Sequence, residues 1–182
     1  MSRLLLLVVL LALPLVACES LAGPRPEPSI PVVGATVKCA QGDHGIDDPQ
    51  LGWGFCYPGS WRFRERSQRI ETPPGVDTTF DIVNSASTGP EAGRFGFMVV
   101  STYGTGDSTT LAQWIERNID KGVELRQIKW GNARESVQAV STGTRYALTA
   151  HHVVSLELRG GGDNLDLEGA MGRRLATWNF VF

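Results

Sequence analysis

The sequence predicts an α+β domain built on an antiparallel sheet. Three observations carry that expectation. Segments rich in β-branched and aromatic residues recur between Gly, Pro and Asp turn signals. Two further stretches repeat apolar residues at helical spacing. The order runs strands, helix, several strands, helix, strand, so hairpin-linked strands neighbour one another instead of alternating with helices. The 182 residues suffice for one domain with a proper core, and no internal repeat is visible.

The elements follow in chain order. Gly54 to Tyr57, inside the aromatic-rich stretch Trp53–Trp61, reads as a short strand ended by Pro58-Gly59. Val76 to Val83 is a second strand, and the more apolar Arg94 to Tyr103 a central one. Ser108 to Lys121 reads as a helix capped by Asp107 or Ser108, with Gly122 beyond its end. Its apolar stripe is Leu111, Trp114, Ile115 and Ile119. Strands are expected at Glu124–Trp130 and Glu135–Ser141, then a single long one at Arg145–Arg159. In that last run, strict alternation sends Tyr146, Leu148, Ala150, His152, Val154, Leu156 and Leu158 to the core and the other parity to water. A second helix, from about Leu165 to Thr177, takes Asp163 or Asn164 as its cap and Leu167, Ala170, Met171, Leu175 and Trp178 as its stripe. Gly169 and Gly172 weaken it by about 1 kcal/mol each relative to alanine. The terminal Asn-Phe-Val-Phe reads as a short strand with Phe180 and Phe182 on one side.

The first seventeen residues stand apart from this domain. One cation, Arg3, precedes an uninterrupted run from Leu4 to Ala17 without a charge. That run is too short to span a bilayer comfortably and fits the h-region of a secretory signal. Leu15-Val16-Ala17-Cys18 then resembles the bacterial lipobox. The resemblance implies cleavage before Cys18 and attachment of a diacylglycerol to its thiol, with palmitate among the expected acyl chains. Each buried CH₂ contributes about 0.8 kcal/mol, so two or three chains anchor stably. Glu19 stands where an aspartate would signal inner-membrane retention, which favours the outer membrane where one exists. Prolines 24, 26, 28 and 31 let Glu19–Gly34 be read as a polyproline-like tether, reaching on the order of 50 Å at about 3.1 Å per residue; a disordered leader with no set length is the competing reading. The domain is expected from residue 35 to residue 182. The full chain carries a formal charge of −2, and loss of Arg3 makes it more acidic. That balance argues against nucleic acid as a bulk electrostatic partner.

Two cysteines remain, Cys39 and Cys56. In an exported protein an even pair reads as a disulfide, and a loop of this size contributes about 3 kcal/mol by chain entropy. A catalytic thiol or a metal ligand would call for a Cys-x-x-Cys motif or a nearby base, and the sequence offers neither.

At this point the arrangement resembles the Mog1/PsbP-like family, including its exported bacterial lipoproteins. The resemblance rests on Phe55-Tyr57-Pro58-Trp61, on the helix Leu-Ala-Gln-Trp-Ile-Glu-Arg-Asn-Ile from Leu111, and on a last helix running into Phe-x-Phe. It covers roughly residues 53 to 182. It implies an antiparallel sheet flanked by helices, and an accessory or binding role rather than an enzyme, as in the photosystem II extrinsic subunit and a Ran-binding factor. The loop at Cys39 and the cysteine at 56 look like additions to the pattern.

Candidate chemistry is sparse. Asp43-His44-x-x-Asp47-Asp48 brings imidazole and carboxylates together, so His44, Asp47 and Asp48 are candidate ligands for a divalent metal; a solvated turn is the competing reading. His151-His152 looks catalytic, but strand neighbours point to opposite faces. That favours a hydrogen-bonded core residue at His152. Arg62, Arg64 and Arg66 share one face if extended and could grip anionic headgroups or glycan carboxylates; a charged edge strand that resists sheet-to-sheet pairing is the alternative. No phosphate-cradling loop, nucleophile elbow or zinc-protease motif occurs, and nothing asks for a cofactor. The expectation is an envelope-anchored lipoprotein with a non-catalytic binding or accessory role. Its partners would be the membrane, through the anchor, and an envelope protein or anionic glycan. The alternative is a metal-dependent or His-based envelope enzyme built from His44, Asp47 or His152.

Overall fold

A computed structural model describes residues 37–83, 93–162 and 166–180. The leader, Cys18, the tether, the expected caps Asp163 and Asn164, and Phe182 lie outside the described residues.

Two antiparallel sheets make up the domain. The strands are β1 (Asp43–Asp48), β2 (Trp53–Pro58), β3 (Arg62–Arg69), β4 (Gly75–Val83) and β5 (Phe95–Gly104). After helix α1 (Leu111–Asn118) come β6 (Leu125–Gln127), β7 (Glu135–Ala139), β8 (Arg145–Leu148) and β9 (His152–Gly161), then helix α2 (Leu167–Leu175) and β10 (Asn179–Phe180). Strands β1, β2 and β10 form a small sheet, in the order β1-β2-β10. The other seven form a large sheet, in the order β3-β4-β5-β9-β8-β7-β6.

This corrects the expected fold class. Strand accounts for 48% of the described residues and helix for 13%. The fold is sheet-dominated, not an α+β domain whose helices flank a sheet. The physical reason lies in what covers the large sheet. Its inner face, Phe80, Ile82, Met98, Val100, Ala147, Val154 and Leu156, is buried under aromatic residues of the small sheet and the C-terminal segment. Phe55 stacks on Trp178 with ring centroids 4.5 Å apart and meets Phe80 edge-on at 5.4 Å. Trp178 also meets Trp130 at 5.0 Å. Such pairs contribute about 0.5–1.5 kcal/mol each beyond area burial. The small sheet therefore does what a helix layer was expected to do.

Segment 43–48, expected as a loop, is a strand because it pairs residue by residue with β2, from Asp43 opposite Pro58 to Asp48 opposite Trp53. Asp48 closes the hairpin by accepting from the amides of Gln50 and Leu51 at 3.1 and 3.0 Å. Cys39 and Cys56 are joined by a disulfide, with Cα atoms 5.5 Å apart. It ties the chain before β1 to the middle of β2.

The long expected strand from Arg145 to Arg159 is two strands. Thr149 breaks it: its hydroxyl accepts from the amides of His151 and His152 at 3.3 and 3.0 Å, and its own amide donates to the His152 carbonyl at 2.9 Å. The resulting register pairs Tyr146 with Ser155 and Leu148 with Val153. Tyr146 and Leu148 thus lie on the opposite face from Val154 and Leu156, and the single parity read along the run does not hold. A threonine that satisfies the turn amides itself replaces the Gly or Pro usually sought there.

Both helices are shorter than expected. Thr110, not Asp107 or Ser108, caps α1 and accepts from the Gln113 amide at 3.3 Å. Leu111, Trp114 and Ile115 are buried on the sheet's outer face, whereas Ile119, one residue past the helix, is 43% exposed. Asp166 caps α2 through the Gly169 amide at 2.8 Å. A Cβ at 169 would fall 2.0 Å from that carboxylate, so the glycine leaves room for the cap. At Gly96 and Gly160 a Cβ would lie 2.7 and 2.5 Å from Leu167. Bare backbone on β5 and β9 lets α2 seat its first turn against the sheet.

Candidate functional site

The outer face of the large sheet carries the polar rows and a groove. Helix α1 covers only part of it, packing on Tyr103, Val137, Tyr146, Leu148 and Val153. Beyond α1 the registers of β3, β4, β5, β9 and β8 line up polar residues in rows. One row runs Ser67, Asp77, Ser101, Ser155, Tyr146. The next runs Glu65, Thr79, Val99, Glu157, and the last Asp81, Phe97, Arg159 with Arg62 at its edge.

In the first row Ser101, Ser155 and Tyr146 are buried. Burial pushes the Tyr146 hydroxyl up to about 12, reinforced by Tyr103 and Glu157 and offset in part by Arg69. Tyr146 therefore stays neutral well above its ordinary range. Glu157 of the middle row accepts from Nε and Nη2 of Arg159 in the last row, both at 2.8 Å, and this bond raises the Arg159 guanidinium above its usual value.

That row ends in a groove of 640 Å³ lined by Arg62, Arg64, Asp81, Val83, Phe95 and Phe97. Arg64 reaches Asp81 at 3.7 Å and lies 5.8 Å from the centre of the Phe97 ring. Phe95 and Phe97 are near parallel, with centroids 6.3 Å apart, and Phe95 is 43% exposed. The Arg62 side chain is exposed and makes no ion pair or hydrogen bond among the described residues.

The three arginines expected on one face are separated. A bulge between Phe63 and Glu65 shifts the register of β3. Arg62 and Arg64 stay with the outer face, while Arg66 falls opposite Thr78 and turns inward. There its guanidinium pairs with Asp48 of β1, with side chains only 7% and 2% exposed. Desolvation lowers Arg66 from its ordinary value. This ion pair joins the edges of the two sheets, and Arg66 is not available to an external anion. The strand is also an edge of the large sheet, charged along its length, as the edge-strand reading supposes.

The metal candidates sit on β1. His44 meets Tyr57 edge-on at 5.7 Å, Asp47 is buried, and Asp48 is committed to Arg66 and the hairpin amides. Neighbouring Asp47 and Asp48 point to opposite faces of the strand. Among the described residues no group of three or more His, Cys, Asp or Glu could hold a metal ion. His152 begins β9 on the other sheet, half-buried rather than in the core, and burial with the adjacent His151 lowers its pKa. The structure does not bring His44 and Asp47 together with His152 on one element or one sheet.

Sequence reasoning missed Phe95 and Phe97 as groove residues and the polar row from Ser67 to Tyr146. The alternation of β5 from Phe95 to Tyr103 was legible and would have put the two phenylalanines on the side of Ser101. The row across five strands was not, because it depends on registers between segments distant in sequence. No family model matches the chain, and no curated protein or solved structure matches it either.

Proposed function

We propose that this is a lipid-anchored protein of the bacterial envelope whose domain binds a partner and carries out no covalent chemistry. The leader and the lipobox at Cys18 supply the anchor, and Glu19 favours the outer membrane. The Cys39–Cys56 bridge is compatible with an extracytoplasmic location. Among the described residues no helix is long and apolar enough to cross a membrane, so attachment in this reading is by acyl chains.

The observation that supports the binding role is the groove of Arg62, Arg64, Phe95 and Phe97. It offers a fixed cation beside flat apolar surface, and that pairing gives both affinity and orientation. Crosslinking in native membranes followed by identification of what is captured tests this role. Recovery of a discrete envelope protein or glycan is expected. Recovery of lipid alone would sink it. Mass spectrometry of the mature N-terminus tests the anchor. A diacylglyceryl group on Cys18 is expected, and a free Cys18 or cleavage elsewhere would remove that part of the proposal.

A further inference from the structure

We infer that the groove binds a carboxylate-bearing sugar of an acidic polysaccharide, Phe95 stacking on the apolar face of the ring and Arg62 taking the carboxylate; this rests on the binding role proposed above. Phe95 is built as a platform. It stands opposite Gly161 across the β5–β9 ladder, and a Cβ at 161 would lie 2.7 Å from its ring. The ring therefore lies against bare strand backbone, and its 43% exposure is surface offered to the groove. The face of a phenyl ring carries partial negative charge. The C–H bonds on one side of a pyranose carry partial positive charge, so the two surfaces are complementary.

The charges select an acid. Arg64 is held by Asp81 at 3.7 Å, and Arg159 by Glu157 through two bonds. Arg62 makes no ion pair among the described residues, so the groove has one guanidinium to spare within a chain of net negative charge. A guanidinium fork matches a carboxylate in two parallel bonds. A uronic-acid ring presents its carboxylate and its apolar face on one rigid body, the two things Arg62 and Phe95 present together. An acidic peptide carries its carboxylates on flexible stems with no such face attached. An acyl chain would call for a dry slot, whereas this groove is walled by Arg62, Arg64 and Asp81. Its 640 Å³ falls within the roughly 300–1,000 Å³ usual for small-ligand sites.

The test is calorimetric titration of the full mature protein with an oligomer of galacturonic acid and with its methyl ester. The acid is expected to bind, with affinity falling at least tenfold for the ester, for Arg62→Ala and for Phe95→Ala. Both side chains are exposed, and unchanged melting of each variant certifies the fold. Any of four results overturns the inference: no binding of the acid; equal binding of acid and ester; binding of polyglutamate as tight as that of the sugar and indifferent to Phe95→Ala; or binding only to phosphatidylglycerol vesicles. Retention of a crosslinked partner by the Arg62→Ala, Phe95→Ala double variant would overturn the groove's assignment alone and leave the broader binding role standing.

Discussion

The two faces of the large sheet follow the same alternation rule and serve opposite ends. The inner face is dry. Phe80, Met98, Val100, Val154 and Leu156 are wholly buried beneath Phe55, Trp178 and Phe180. The outer face is apolar only under α1, around Trp114 and Tyr103, and elsewhere carries Glu65, Asp81, Glu157, Arg159 and the groove. Outside the footprint of α1, the outer face is therefore freer to vary its chemistry at little cost to the fold.

Substitutions should expose that asymmetry. Trp178→Ala removes the ring that stacks on Phe55 and meets Trp130. Its expected cost is near the upper end of the about 3–5 kcal/mol typical for a buried large aromatic, measured by urea denaturation; a cost below about 1 kcal/mol would show that the inner face is not the stabilising one. Asp48→Asn keeps an acceptor for the Gln50 and Leu51 amides but removes the carboxylate that faces the buried Arg66 guanidinium. A loss of about 3 kcal/mol is expected, and pairing the change with Arg66→Met should recover most of it. Reducing the Cys39–Cys56 bridge, which spans 17 residues of sequence, should cost about 3 kcal/mol, read as a lower melting temperature under reducing agent.

The outer face gives smaller effects. Tyr146 ionises at about 12 when folded against 10.0 ordinarily, so above pH 10 the unfolded chain releases a proton that the folded one keeps. Tyr146 thus contributes stability that is present below pH 10 and lost as pH rises through about 12. Tyr146→Phe should flatten that part of a stability–pH profile, and an unchanged slope would show that the hydroxyl is not shielded. Smallest of all, Arg62→Ala should move stability by no more than about 0.5 kcal/mol, since Arg62 touches no partner among the described residues. A loss above 1 kcal/mol would mean that the groove arginine serves the fold.

Much of the chain's local structure was legible from sequence. The strands at Trp53–Pro58, Gly75–Val83 and Phe95–Gly104 lie where β-branched and aromatic runs placed them, within one residue at each end. Both helices lie inside their expected spans, since their apolar stripes at helical spacing are written in consecutive residues. The failures were of another kind. Asp43–Asp48 has the composition of a loop and becomes a strand only because β2 supplies its partner. Arg66 left the arginine face because one bulge at Arg64 reverses every parity after it. The groove was half visible, in Arg62 and Arg64, and its phenylalanines emerged only when β4 joined β3 and β5 into one sheet.

By itself, then, the sequence determined the periodicities that make most segments helix or strand, and it held the even pair, Cys39 and Cys56, that the structure joins. These are local properties, fixed by neighbours a few residues away. Tertiary structure alone decided that a second sheet, and not a layer of helices, would cover the first. It also decided that Arg66 would be buried against Asp48, and that Arg62 and Phe95 would line one groove. Each of those outcomes depends on registers between strands far apart in sequence, and a shift of one residue in any of them would send the side chain to the other face.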